Sequence, residues 1–181
     1  MPIKTFVSGE ILTASDTNAY LNNGGLVYIT SQTIGSAVAT QAVSGAFSAT
    51  YDSYLITVSG GASSVSEYLT LRLGATTNNY RYNFIYGNLG STVATIGTTV
   101  GSNFGYVGWA NPSGLSAEIF VGNPFLSMMT FCRASAGLSG NTAGLFSGVQ
   151  IDTTSFTAFT LGIGSGTMTG GTIRVYGYRQ A

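Results

Sequence analysis

Apolar and polar residues alternate along most of the chain, which is the pattern of strands with one buried and one wet face. The clearest case is residues 53–73, where two alternating segments flank the small residues 60–64. Small, permissive residues favour a chain reversal, so we predict an antiparallel hairpin here. The predicted inner side chains are Tyr54, Ile56, Val58, Leu69, Leu71 and Leu73. Neither strand can bury its apolar face alone, so the remaining segments must supply a second sheet.

Further alternating or β-rich segments recur about every ten residues, with turn residues between them. The predicted strands cover residues 26–32, 46–50, 80–86, 104–109, 115–121, 125–133, 144–151, 156–163 and 172–179. Residues 34–44 are predicted as a loop or an edge, and the Gly- and Thr-rich residues 88–102 as a long loop. This spacing predicts an all-β, antiparallel two-sheet sandwich over residues 26–181.

Residues 1–25 differ from the rest and are predicted to form a docking arm. Thr13 is a candidate N-cap for one short helix over residues 14–22, which would end at two glycines. A helix of about two turns does not persist alone in water, so it needs a surface to lie against. The side chains expected to dock are Phe6, Val7, Ile11, Leu12, Tyr20 and Leu21. An arm folded back on its own domain is the alternative.

Composition limits the classes of partner. Charged residues make up 7% of the chain, where about 25% is usual, and six basic residues balance six acidic ones. No broad field gathers phosphates, so we expect no nucleic-acid role. A surface this poor in charge, in a chain with 11 Tyr and 10 Phe, favours contact with other subunits or with a larger assembly.

The sequence offers little catalytic chemistry. It has no His, and Cys132 is its single cysteine, so the commonest general base and a thiol–imidazole pair are missing. Its six carboxylates are scattered, although two can meet across a subunit interface, as glycoside hydrolysis requires. We therefore expect no enzyme, no cofactor and no metal, with a depolymerase as a minor alternative. No run approaches the roughly 18 apolar residues of a membrane span, so no membrane insertion is expected.

Aromatic side chains are the best candidates for recognition. Rings of this kind stack on the apolar faces of a sugar, while phenol and indole donors meet its hydroxyls. The candidate receptor-binding residues are Tyr80, Tyr82, Tyr86, Tyr106 and Trp109, with Phe104 beside them. The alternative is that the same rings fill the core or a seam between subunits.

Three parts of the chain resemble proteins of tailed bacteriophages. Residues 6–21, FVSGEILTASDTNAYL, resemble the N-terminal segment of many minor tail and fibre proteins. Residues 51–58 and 68–74 are similar to the first strands of their jelly-roll domains, and residues 170–177 to the last. The resemblance implies a virion protein, usually a homotrimer, with the arm fixed to the particle and the jelly roll displayed outward.

These observations together predict a trimeric tail-fibre or peripheral adhesion protein of a tailed phage. Its expected partners are other copies of itself, another virion structural protein held through residues 1–25, and a host surface glycan. Its expected location is the virion, assembled in the host bacterial cytoplasm. The alternative is a capsid decoration or cement protein, because the chain lacks the long shaft of larger fibres and its position on tail or head stays open.

Overall fold

The computed structural model describes residues 7–11, 13, 25–88, 93–138 and 142–179. Within these ranges the chain forms fourteen strands and no helix. The first seven are β1 (Leu26–Thr33), β2 (Thr40–Val43), β3 (Ser53–Gly60), β4 (Ala62–Ser63), β5 (Glu67–Leu73), β6 (Tyr80–Asn88) and β7 (Val93–Gly101). The others are β8 (Phe104–Asn111), β9 (Gly114–Gly122), β10 (Thr130–Leu138), β11 (Thr142–Gln150), β12 (Phe159–Ile163), β13 (Met168–Thr169) and β14 (Thr172–Tyr178).

Twelve of these strands form one curled sheet, in which β9 is the branching strand. One edge of β9 pairs with β3 along its length. The other edge pairs first with β8, at residues 114–116, and then with β10, at residues 118–122. The sheet thus divides into a long wing, ordered β1-β14-β3-β9-β10-β11-β6-β7, and a short wing, ordered β2-β12-β5-β8. The remaining strands, β4 and β13, form a separate two-stranded ribbon.

The core lies between the two wings. Phe104 of the short wing meets the rings of Tyr80 and Phe146 in the long wing edge-on, at centroid distances of 4.8 and 5.7 Å. All six inner residues predicted for β3 and β5 are buried in this one cluster. The predicted all-β, antiparallel architecture is therefore confirmed. The finer arrangement of a two-sheet jelly roll stays a prediction.

The predicted hairpin of residues 53–73 is wrong, although both of its strands exist. β3 lies between β14 and β9 in the long wing, whereas β5 lies between β12 and β8 in the short wing. The connection between them crosses from one wing to the other through β4. Alternation identifies the buried face of a strand but carries no information about which strand lies beside it.

The predicted loop of residues 88–102 is also wrong, because β7 occupies most of it and pairs with β6. β7 is the last strand of the long wing, with Val93 and Val100 exposed. An edge strand of this kind does not need a buried apolar stripe, so its Thr and Gly content resembled a loop. Threonine is nevertheless a good strand former.

The short strand predicted over residues 46–50 is absent. Ala46 and Phe47 are buried in an irregular segment whose amides donate to the carbonyl of Thr157, at 2.9 and 3.2 Å. The Tyr54 hydroxyl accepts the Ser48 amide proton at 2.8 Å and holds the segment against β3. The strand predicted over 125–133 begins only at Thr130, because residues 123–128 form bends.

Little of the predicted arm falls within the described residues. The helix predicted over 14–22, and four of the docking residues, Phe6, Leu12, Tyr20 and Leu21, lie outside them. Residues 7–10 form a turn, in which the Glu10 amide donates to the Val7 carbonyl at 3.1 Å. The side chains of Val7 and Ile11 are 68% and 83% exposed. The described ranges contain no helix with the length and apolar character that crossing a membrane requires.

Candidate aromatic binding site

Four aromatic rings form a continuous stack that links the two wings. Tyr68 of β5 stacks on Tyr106 of β8, with ring centroids 4.2 Å apart. Tyr106 then stacks on Phe84 of β6 at 5.2 Å, with the planes only 8° apart, and Phe84 on Tyr86 at 5.5 Å. We call these four residues the aromatic stack. It joins β5 and β8 of the short wing to β6 of the long wing.

Glycines on neighbouring strands leave room for these rings. A Cβ atom added to Gly164 would lie 2.7 Å from the Tyr68 ring, and one added to Gly144 would lie 2.6 Å from the Phe84 ring. Both distances are shorter than real side chains tolerate. Gly144 of β11 and Gly164, directly after β12, are therefore positions on which rings of the stack pack.

The backbone of Tyr106 is in a left-handed conformation, with φ of 61°. A non-glycine residue rarely adopts this conformation, and a bulky one does so at a cost. The β5–β8 register also shifts here, because Leu69 faces Gly108 whereas Leu71 faces Phe104. This bulge turns Tyr106 out of the regular alternation and brings its ring between Tyr68 and Phe84. Strain of this kind concentrates at functional sites, which makes Tyr106 the central residue of the candidate site.

Two phenols at the stack, those of Tyr106 and Tyr82, have a raised pKa. Burial raises the pKa of Tyr106, and the neighbouring phenols of Tyr68 and Tyr82 raise it further. Burial likewise raises the pKa of Tyr82, which also lies beside Tyr68. At the rim, the Glu67 carboxylate accepts a hydrogen bond from the Ser165 hydroxyl at 3.0 Å. The site thus combines ring surfaces with neutral hydroxyls and one carboxylate.

This arrangement offers side chains that are suited to binding a ligand. Phe84 has no exposed surface and Tyr106 lies between two rings, so the parts of the stack open to a ligand are the half-buried rings and hydroxyls of Tyr68, Tyr86 and Tyr106. Aromatic surface beside phenolic hydroxyls suits a ligand with an apolar face and a polar rim, which is the chemistry of a sugar. Among the described residues there is no group of three or more His, Cys, Asp and Glu side chains that would hold a metal ion. Cys132 is fully buried, and burial raises the pKa of its thiol. A reactive thiolate is therefore not available there.

The structure brings together three of the five predicted receptor-binding residues. Tyr86 and Tyr106 belong to the stack, and Tyr82 lies beside it, with its hydroxyl next to Gly105. Trp109 faces Tyr68 directly across the β5–β8 ladder, so it shares a sheet face with the first ring of the stack. Its indole nitrogen is buried and has no hydrogen-bond partner among the described residues.

Tyr80 does not belong to the site. It has no exposed surface, and its hydroxyl accepts the Leu73 amide proton at 2.8 Å inside the core. Alternation along β6 places Tyr80 on the same face as Tyr82 and Tyr86. It does not show that Tyr80 is fully buried while the other two tyrosines are half-buried. Phe104 is buried in the core as well.

Sequence reasoning missed Tyr68 as a site residue. Its signal was present, because alternation places it on the outer face of β5 next to Glu67, away from the three inner leucines. An aromatic residue on the outer face of a clearly predicted strand is the feature by which Tyr68 can be recognised as a candidate.

The chain has no match among known protein-family models or among curated proteins.

Proposed function

We propose that the chain is a structural protein of a tailed-phage virion, of the tail-fibre or peripheral adhesion type. In this proposal residues 1–25 anchor it to the particle, and the β domain binds glycans of the host surface. The curled sheet is in this view a jelly roll whose two sheets are the long and short wings. The observation that carries the binding role is the aromatic stack with Tyr106 held at positive φ.

The stack supports glycan binding in two ways. Its rings are fixed by their stacking contacts and by the glycines on which they pack, so little side-chain freedom is lost when a ligand binds. Burial raises the pKa of the Tyr106 phenol, and of the Tyr82 phenol beside the stack, which keeps both as uncharged donors and acceptors and suits a neutral sugar. Single sites of this type bind weakly, and several copies on one particle raise the overall affinity through multivalency.

The exposed residues of the arm support the anchoring role. Val7 and Ile11 place aliphatic side chains in solvent on either side of a turn that the Glu10 carboxylate closes by accepting the Val7 amide proton at 3.2 Å. Exposed aliphatic side chains next to an ordered turn are suited to insertion into a groove on another protein.

Glycan binding is tested by Tyr106→Gly. Glycine accepts the positive φ without strain, so this substitution removes the ring while keeping the backbone. We expect binding of the purified protein to host cells to fall at least about tenfold, a loss of about 1.4 kcal/mol. Tyr28→Ala, at an exposed tyrosine of the β1 edge, is the matched control and should bind normally. Normal cell binding by a folded Tyr106→Gly protein would contradict the adhesion role.

Anchoring is tested by deletion of residues 2–25. The truncated protein should fold, because its sheet starts at Leu26, but it should not join particles. Incorporation of the truncated protein would show that the arm does not dock. Labelling the full-length protein on particles separates adhesion from cement: a tail position agrees with adhesion, and a uniform lattice over the head identifies a decoration protein. Shortening of host polysaccharide by the purified protein would instead identify a depolymerase.

A further inference from the structure

The outer face of the long wing carries a group of aliphatic and aromatic side chains that the core does not use. Leu145 of β11 is 67% exposed and lies directly opposite Ile85 of β6, which is 49% exposed. Phe131 of β10 is 46% exposed on the same face, and Val93 of the edge strand β7 is 72% exposed. Leu145, Ile85 and Val93 line a shallow depression of about 600 Å³. We call this surface the outer face.

Two opposite charges lie side by side next to these apolar residues. In the β9–β10 ladder Arg133 faces Phe120 and Ser135 faces Glu118, so Glu118 and Arg133 are diagonal neighbours. Both side chains are exposed, and the Arg133 guanidinium lies over the Phe120 ring at 4.4 Å. Within the described part of the chain neither residue forms an ion pair.

These features select one kind of occupant. The depression around Leu145 is lined mainly by aliphatic side chains and small residues, with Tyr86 as its one aromatic residue, so it offers few of the polar groups that a glycan needs around its rings. The arginines of this face outnumber its carboxylates: Arg174 lies in the same row as Glu118, two strands away, and Arg81 lies on the same side of β6 as Ile85. A partner of this face therefore has to bring carboxylates as well as apolar side chains. A second copy of the same face offers apolar side chains to cover Leu145 and Ile85. It also offers the two charges in the order that pairs each with its opposite.

We propose that the outer face joins copies of this chain to one another, with Glu118 of one copy paired to Arg133 of the next. The pairing is charge-complementary under a twofold axis, which places the same face of both copies against each other. Apolar burial around Leu145 supplies the affinity, and the charge pair sets the register. The proposal extends the homo-oligomer expected for a virion protein. It does not depend on glycan binding, so either can fail without the other.

The test measures the mass of the purified full-length protein by light scattering at several concentrations. We expect the unaltered protein to be an oligomer and Leu145→Asp to shift it to monomer. Val65→Asp, at an exposed apolar residue outside the outer face, is the matched control and should leave the mass unchanged. Circular dichroism with thermal melting confirms that each variant is folded.

Charge reversal makes the test independent of the apolar substitution. Glu118→Arg and Arg133→Glu should each weaken association at least tenfold, and the two reversals together in one chain should restore it. Mixing the two single variants should also restore association, because in a twofold contact each reversed charge then meets its opposite. A monomeric unaltered protein, an unchanged mass for folded Leu145→Asp, or a double reversal that fails to restore association would each overturn the proposal.

Discussion

At the scale of single residues, glycines fix several close approaches of the backbone in this fold. Gly60 and Gly61 lie against Gly170 and Gly171, and all four have positive φ. A Cβ atom added to Gly61 would collide with the carbonyl oxygen of Gly170. This corner joins the end of β3 to the segment before β14, so it holds two neighbouring strands of the long wing in register.

Gly61→Ala should therefore destabilise the protein strongly. Both the left-handed backbone and the collision with the Gly170 carbonyl oppose a side chain, and we expect a loss of about 2–4 kcal/mol in the free energy of unfolding. Gly114→Ala is the matched control, because a Cβ atom there meets nothing within 4 Å, and it should change stability by less than about 0.5 kcal/mol. Urea denaturation followed by circular dichroism measures both. Equal effects of the two substitutions would show that the corner is not strained.

Tyr80 should make stability fall at high pH. Burial raises the pKa of its phenol from 10.0 to about 12. Below pH 10 the phenol is protonated in both the folded and the unfolded state and has no effect. Between pH 10 and about 12 the unfolded state loses the proton while the folded state keeps it, so folding weakens by up to about 3 kcal/mol.

The Tyr80→Phe variant isolates this effect. It should be less stable than the unaltered protein at pH 8, because the Leu73 amide loses its acceptor. Its free energy of unfolding should decline less steeply between pH 10 and 12, since the buried thiol of Cys132 and the other phenols are common to both proteins. Parallel curves of unfolding free energy against pH over that range would show that ionisation of the Tyr80 phenol does not cause the loss of stability.

At the scale of elements, a polar network holds the turn between β5 and β6 against the end of β11. The Asp152 carboxylate accepts hydrogen bonds from the Asn79 side-chain amide at 2.7 Å and from the Gln150 side-chain amide at 2.6 Å. The Gln150 side-chain carbonyl accepts the Asp152 amide proton at 2.8 Å. Gln150 has no exposed surface, so its amide depends on these partners.

Asp152→Ala should cost about 1–3 kcal/mol of unfolding free energy, because it leaves a buried amide of Gln150 without its closest acceptor. Thr153→Ala, at the exposed neighbouring position, should lie within about 0.5 kcal/mol of the unaltered protein. Chemical denaturation of the two variants, side by side, provides the measurement. If Asp152→Ala lowers the unfolding free energy no more than Thr153→Ala does, water accepts the hydrogen bond of the Gln150 amide in place of the carboxylate.

The sequence predicted the faces of the elements better than their neighbours. Alternation identified Leu69, Leu71 and Leu73 as inner residues, because burial of one face follows from the local pattern alone. It could not place β5 in the short wing, since strand pairing depends on contacts distant in sequence. It also could not reveal the bulge at Tyr106, because the strain there is held by rings from β5 and β6. The aromatic candidates were chosen from the sequence by residue type. Only the structure shows that Tyr80, unlike the other four, is fully buried.

At the scale of the whole molecule, the two ends of the described sheet meet at one corner. Leu26 faces Tyr178 in the β1–β14 ladder, and the Arg179 amide donates to the Gly25 carbonyl at 3.0 Å. The connection over residues 153–155 is exposed and crosses between the wings. These two features allow the order of the strands in the chain to be changed without changing their arrangement in space.

A circular permutant tests this architecture. It joins Arg179 to Gly25 through a short glycine linker and starts at Thr154, without residues 1–24. We expect it to fold to the same β-rich spectrum, with an unfolding free energy within about 2 kcal/mol of the unpermuted chain that lacks the same residues. Thermal melting and circular dichroism give the comparison. An unfolded permutant would show that the β11–β12 connection is required to bring the wings together.

The position of β1 has a mechanical consequence if the arm tethers the body. β1 is an edge strand that pairs only with β14 among the described strands, and its ladder is interrupted between Tyr28 and Thr30. Tension applied through the arm would reach this ladder before any other part of the sheet. We expect β1 to peel away first under load, lengthening the tether while the other strands of the sheet stay paired.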